Sequence, residues 1–451
     1  MSQSREEQYK KMTETPVPKL IAGLSVPTII SMLVTSIYNM ADTAFVGQLG
    51  TSASGAVGIV FGFMSIIQAV GFMFGQGSGS LLSRRLGNKD YDGASRIAST
   101  GFFSALAAGM IITVTGFCFL DPLIFLLGST KTIAPYAKTY ISFILAACPL
   151  MITSFVMNNM LRYEGKAYLG TIGMFTGSIL NIIGDPILMF GFKLGIAGAG
   201  LSTSLSQCFS FLILLSMFLR GKTQSKLALS MVQRKLSVVA EICATGFPSL
   251  IRQSMASLST MLLNSLAGVY GDAAVAAMSI VSRISFFVFS FALGIGQGYQ
   301  PVCAFNYGAK KYSRVRKGFF YTIVFTEIFL IVMAVPVILK SGSLIQLFRD
   351  DPDVVRIGTR ALILHCLALT FIPMGTVTEM TLQCTGNPLS ASVLSSLRSG
   401  VILIPLLLIL SQTRGLAGIQ EAQPLSYVLT AIPAAFMGVR FFKNLPLKDG
   451  Q

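Results

Sequence analysis

Four carboxylates interrupt apolar stretches of this 451-residue chain: Asp42, Asp185, Glu327 and Glu379. An ionised acid at the centre of a bilayer costs roughly 2.5–3.5 kcal/mol on insertion scales, so each is expected to face a cavity or a partner. Two of them have polar company at helical spacing. Tyr38 and Asn39 lie four and three residues before Asp42, and Asn181 lies four before Asp185, so each set shares a helix face. Pro27 and Pro186 lie on the same two segments and are expected to bend the helices. They lack an N–H, which frees the carbonyls of Gly23 and Ile182. Carboxylates, an amide and freed carbonyls together suit a cation or a proton. A purely structural polar network would account for Asn181 but gives no reason for two acids with no Arg or Lys at their depth.

The elements that must position these groups are membrane helices. Hydrophobic residues make up 53% of the chain and charged residues 12%, with a mean hydropathy of +0.70. Apolar runs of about 20 residues, the length that crosses a bilayer as a helix, recur twelve times. Six fall within residues 19–220 and six within 238–442, leaving a tail at 1–18, a linker at 221–237 and a second tail at 443–451. With a helical rise of about 1.5 Å per residue, Asp42 and Asp185 come out roughly 34 and 29 Å from the ends of their helices at Lys19 and Lys166.

Enzyme chemistry finds little purchase. The tripeptide GKT at 221–223 lacks the preceding glycine of a phosphate loop, and Gly71, Gly75 and Gly79 repeat every fourth residue, the spacing of close helix packing. The single histidine, His365, sits in an apolar run, and the seven cysteines show no CxxC pair. They read as packing residues, so no metal held by Cys or His, no disulfide and no cofactor beyond a coupling ion is expected, and no catalytic residue.

Of the 34 Lys and Arg residues, 23 fall on one side when loops are assigned alternately: the two tails, the linker and the other even-to-odd loops. Positive residues collect on the cytoplasmic side, which puts both termini inside. The formal charge of +16 is therefore a topological signal and an attraction to lipid headgroups, with no nucleic-acid partner implied.

An internal repeat organises the whole. A shift of 221 residues aligns Pro27 with Pro248, Ser36 with Ser257, Gly50 with Gly271, the GQG at 75–77 with the GQG at 296–298, Lys89 with Lys310 and Gly165 with Gly386. GIAGAG at 195 meets GLAGIQ at 415 one residue out of register. The expected fold is therefore all-α: twelve transmembrane helices in two six-helix bundles related by a pseudo-two-fold axis along the membrane normal, enclosing a cavity near the midplane.

The segments IYNMADTAFVGQLG, GQGSGSLLSRRLGNKDYDGA, NIIGDPILMFGFKLGIAGAGLSTSLSQ and YGAKKYSRVRKG resemble those of multidrug and toxic compound extrusion (MATE) transporters, over residues 19–442. The likeness is greatest to the bacterial DNA-damage-inducible and MepA-type branch. The resemblance implies a monomeric antiporter of the bacterial cytoplasmic membrane that exports amphipathic, often cationic compounds in exchange for H+ or Na+. It implies that Asp42, Asn181, Asp185 and Thr203 line the site for the coupling ion, a proton or sodium. Tyr38, Asn39, Tyr140, Asn158 and Glu379 would face the substrate cavity. A lipid-linked oligosaccharide or other lipid flippase of the same superfamily would share the paired bundles, whereas a channel or receptor needs neither the repeat nor two buried acids.

Overall fold

A computed structural model describes residues 2–450; the side chains of Ser2, Gln3, Ser4, Asn39, Met40 and Thr51 lie outside the described set. The chain is helical throughout, with no strand among the described residues. In order the helices are α1 (Ser2–Glu14), α2 (Val17–Gly47), α3 (Thr51–Gly87), α4 (Tyr91–Cys118), α5 (Leu120–Leu126), α6 (Ala134–Tyr163), α7 (Ala167–Pro186), α8 (Ile196–Leu219), α9 (Leu236–Gly268), α10 (Asp272–Gly308), α11 (Tyr312–Leu339), α12 (Ser341–Phe348), α13 (Pro352–Leu369), α14 (Ile372–Cys384), α15 (Pro388–Ser396), α16 (Leu403–Arg414) and α17 (Leu416–Asn444).

Ten helices among the described residues are long and apolar enough to cross a membrane, and α13 with α14 form an eleventh span bent by 49°. The sequence showed that span as one run. Pro373, the second residue of α14, cannot donate to the helical ladder and marks the break. At 33 residues α9 is also long enough, but Glu241, Arg252, Gln253 and repeated serines keep its hydropathy low. Counting it, the expected twelve spans are present.

The repeat is visible in the turns as well as the residues. Left-handed backbone recurs at Gly50 and Gly271, at Lys89 and Lys310, at Gly165 and Gly386, and at Gly195 and Gly415. Glycine reaches this region without a Cβ penalty, whereas a lysine there is held by its surroundings. Even the short helices α5 and α12 begin 221 residues apart. The run at 1–18 contains α1, whose Met12 is fully buried and whose Gln8 Nε2 donates to the Glu164 carbonyl at 2.9 Å.

The chain divides into two compact units. One comprises residues 1–14 and 30–250, the other 15–29 and 251–451. Two of the three changeovers, after residues 29 and 250, fall two residues beyond the repeat-related prolines Pro27 and Pro248. In the first unit α6 is the central helix, packed by α3, α4, α7 and α8. Its Phe155, Asn159 and Tyr163 fill the groove left by Gly71, Gly75 and Gly79, where added Cβ atoms would approach to 2.9, 2.9 and 2.4 Å. The glycine series is thus a packing seam. In the second unit α10 packs on α11, α13 and α14 around a core that includes Leu263, Val281, Leu330, Leu362 and Leu407.

Residues 222–233 are tied down on the first unit. The Glu164 carboxylate accepts from the Gln224 and Ser225 amides at 2.6 and 2.9 Å and from the Ser225 hydroxyl. Ser95, Ser99 and Thr100 of α4 accept from the amides of Lys226, Ala228 and Gln233. Burial pushes the Glu164 carboxyl above its ordinary range, against the hydrogen bonds from Ser225 and Gln224 and the charge of Lys166.

Candidate functional site

The acid site lies in the first unit and is assembled from α2, α6, α7 and α8. Helices α7 and α8 run close because small residues face each other. A Cβ added at Gly177 would meet Ser210, and one at Gly184 would lie 2.6 Å from Ser202 Oγ. That closeness lets Asn181 of α7 reach across. Its Nδ2 lies within hydrogen-bond distance of Asp185 Oδ1 (3.2 Å), Thr203 Oγ1 (3.2 Å) and Ser202 Oγ (3.4 Å), and the Ser202 hydroxyl donates to the Asn181 carbonyl.

Asp185 and Tyr140 are fully buried, Asn181 and Thr203 nearly so, and Tyr38 and Asp42 largely so. Asp42, Asp185, Tyr38 and Tyr140 lie close enough to act on one another electrostatically. Four buried atoms here have no hydrogen-bond partner: Asp42 Oδ1, Asp185 Oδ2, Asn181 Oδ1 and the Tyr140 hydroxyl. Unpaired buried polar atoms are costly, and four in one place make a site that an added proton or cation would stabilise. All four are oxygens, hard donors that match a proton or an alkali cation.

Beside the acids is a cavity of about 70 Å³ that opens to the exterior. Tyr38, Asn181 and Thr203 line it together with Phe61, Met64, Gln68, Phe155, Met174 and Gln207. Its wall combines apolar and aromatic surface with amides and hydroxyls. Of the expected residues, Asn181, Thr203 and Tyr38 thus touch both the acid site and the cavity. Tyr140 stands with the acids. Asn158 is half-buried against Gly170 and is not part of this lining. The Asn39 side chain lies outside the described set. Glu379 is in the second unit, ion-paired with Arg252 and Arg398.

Pro186 ends α7, and the chain continues through a π turn at Ile187–Gly191 closed by a bond from Phe192 N to Ile187 O. Pro27 sits within the continuous α2. Sequence reading passed over Ser202, Ser206, Gln207 and Ser210. Their signal was available in STSLSQCFS, where residues 202, 206 and 210 recur every fourth position on one face of α8.

These features define a helical membrane protein of paired six-span repeats with a buried, incompletely bonded acid site beside an amphipathic cavity. The family model MatE matches twice, at residues 27–187 and 248–409, and the chain belongs to the MATE family. It is similar to multidrug export protein MepA of Staphylococcus haemolyticus, with 27% identity over 96% of each chain. It is also similar to MepA of Staphylococcus aureus, 27% identical over 95% of each. Among solved structures, a MATE protein in complex with MaL6 superposes with a TM-score of 0.91 at 26% identity, covering 97% of this chain and 98% of the other.

Proposed function

We propose that this protein exports amphipathic, often cationic compounds across the bacterial cytoplasmic membrane in exchange for inward-moving H+ or Na+, by alternating access and as a monomer, with both termini cytoplasmic. The observation that carries the reading is the set of four unpartnered oxygens on Asp42, Tyr140, Asn181 and Asp185 beside the cavity. Two acids in mutual contact within an apolar medium do not both stay charged without a cation or proton between them. Asn181 links the two acids' surroundings to the cavity: by donating to Asp185 and Thr203 it leaves its own Oδ1 free as an acceptor. Thr203 and Asn181 also face the cavity, so filling the ion site changes the wall that a cationic solute meets. Ion and solute then compete, which is the differential affinity an antiporter needs.

The relatives' description as multidrug export proteins supports the solute class. The decisive experiment is uptake of a fluorescent amphipathic cation into inside-out vesicles under an imposed proton gradient and, separately, a sodium gradient. Accumulation driven by one gradient is expected and identifies the ion. Accumulation indifferent to both would overturn antiport, and ion conduction without solute movement would point to a channel.

A further inference from the structure

The second unit holds a charged cluster that the acid site does not involve. Arg252 Nη1 of α9 lies 2.7 Å from Glu379 Oε1 of α14, and Arg398 Nη2 lies 3.4 Å from Glu379 Oε2. Arg398 also donates from Nη1 to the Thr376 hydroxyl, and its guanidinium stands 5.9 Å from the Phe289 ring centre. Arg398 sits in a π turn, Leu397–Val401, inside the span Pro388–Arg414. Both arginines fall near the middle of their helical spans, far from either interface. Among the described residues Glu379 is the one acid within 4 Å of either arginine, so two buried positive charges share a single carboxylate.

Each oxygen of that carboxylate already serves one guanidinium, while two guanidinium groups carry ten donors. An unbalanced charge buried at this depth is expensive, and replacing such clusters with apolar residues often stabilises a protein. The fold itself does not require the charges. At the repeat-related positions the first unit has Ser31, Asn158 and Gly177, with no ion pair. The surplus is therefore particular to this half. The cluster is nearly closed: the arginine side chains keep 10% and 7% exposure against 1% for Glu379, so what access there is reaches the arginines and not the acid.

We propose that Arg252 and Arg398 bind one monovalent anionic group, a carboxylate on an organic solute or a small inorganic anion, with Glu379 as its built-in competitor. A guanidinium fork matches a carboxylate edge with two parallel N–H donors. Phe289 and Thr376 hold Arg398 in place, and the π turn sets its direction. This goes beyond the proton or sodium antiport argued above: a cation would be taken by one unit and an anion by the other.

The test is calorimetric titration of the purified full-length protein with benzoate, with benzamide as its neutral counterpart, and with chloride, at constant ionic strength. Wild-type protein is expected to bind benzoate or chloride in the millimolar range or tighter and to ignore benzamide. Preference for benzoate assigns the site to an organic carboxylate, and equal or better binding of chloride assigns it to a small inorganic anion. Glu379→Gln removes the competitor and should tighten binding by about tenfold or more, while Arg398→Gln should weaken it by at least about tenfold. If Arg398→Gln does not fold, Arg398→Lys keeps the charge without the fork and should lose benzoate affinity more than chloride affinity. A wild type that binds neither anion, or a folded Glu379→Gln variant that binds no more tightly than wild type, would overturn the proposal and leave a closed structural ion cluster.

Discussion

The two halves share their left-handed turns and most of their helix starts but differ in where they place charge. Asp42, Asp185 and Asn181 of the first unit align with Leu263, Leu406 and Ile402 of the second. Leu263 is buried in the apolar core of that unit, and Leu406 packs against it. Conversely Arg252, Glu379 and Arg398 align with Ser31, Asn158 and Gly177. One backbone plan therefore tolerates charge at two different places, and each half uses only one. The helices are fixed by apolar length and by the shared left-handed turns. The polar chemistry is free to differ because it enters no core that both halves need.

The largest effect is expected from removing titration in the first unit. Asp42→Asn and Asp185→Asn, made separately, should each reach the membrane folded and lose gradient-driven efflux by at least about tenfold, as expected when a group essential to ion coupling is removed. Normal transport by both variants, with unchanged ion dependence, would end the coupling assignment. Moving the acid to its partner position should be next in effect. Leu263→Asp places an unpaired carboxylate in a closed apolar core and should destabilise the protein by roughly 3 kcal/mol, seen as a lower melting temperature. An unchanged melting temperature would mean that the second core admits polar groups as the first does.

A smaller effect is expected from Gly184→Ala. Its Cβ would lie 2.6 Å from Ser202 Oγ, so the Ser202 hydroxyl must rotate away and its bonds with Asn181 are lost. Transport should fall several-fold, on the scale of about 1 kcal/mol for one lost net hydrogen bond, with expression retained. Transport equal to wild type would show that these contacts do not position the ion site.

The smallest effect concerns the Glu164 clasp. Because burial raises the folded-state carboxyl pKa, Glu164 contributes stability that is fully present below the unfolded value of about 4.3 and lost as pH rises through the raised one. Hydrogen exchange at residues 224–228 should therefore be better protected at mildly acidic than at neutral pH, after correction for intrinsic rates, and Glu164→Gln should abolish the difference. Greater protection at neutral pH would show that the hydrogen bonds outweigh burial.

A helical membrane protein built twice over is legible in one dimension, since apolar length and a 221-residue repeat are properties of the linear chain. The sequence also marked Asp42, Asn181 and Asp185, because a carboxylate in an oily run stands out wherever the run folds. Partnership was legible only within a helix, at spacings of three or four residues. Contacts between helices came only with packing. It brought Ser202 of α8 to Asn181 of α7, set Asn158 against Gly170 and apart from the cavity lining, and joined Glu379 to arginines 127 residues before it and 19 after it. No local pattern encodes those meetings. They arise where glycines let helix faces close to contact, and which side chains then oppose each other depends on how the helices pack.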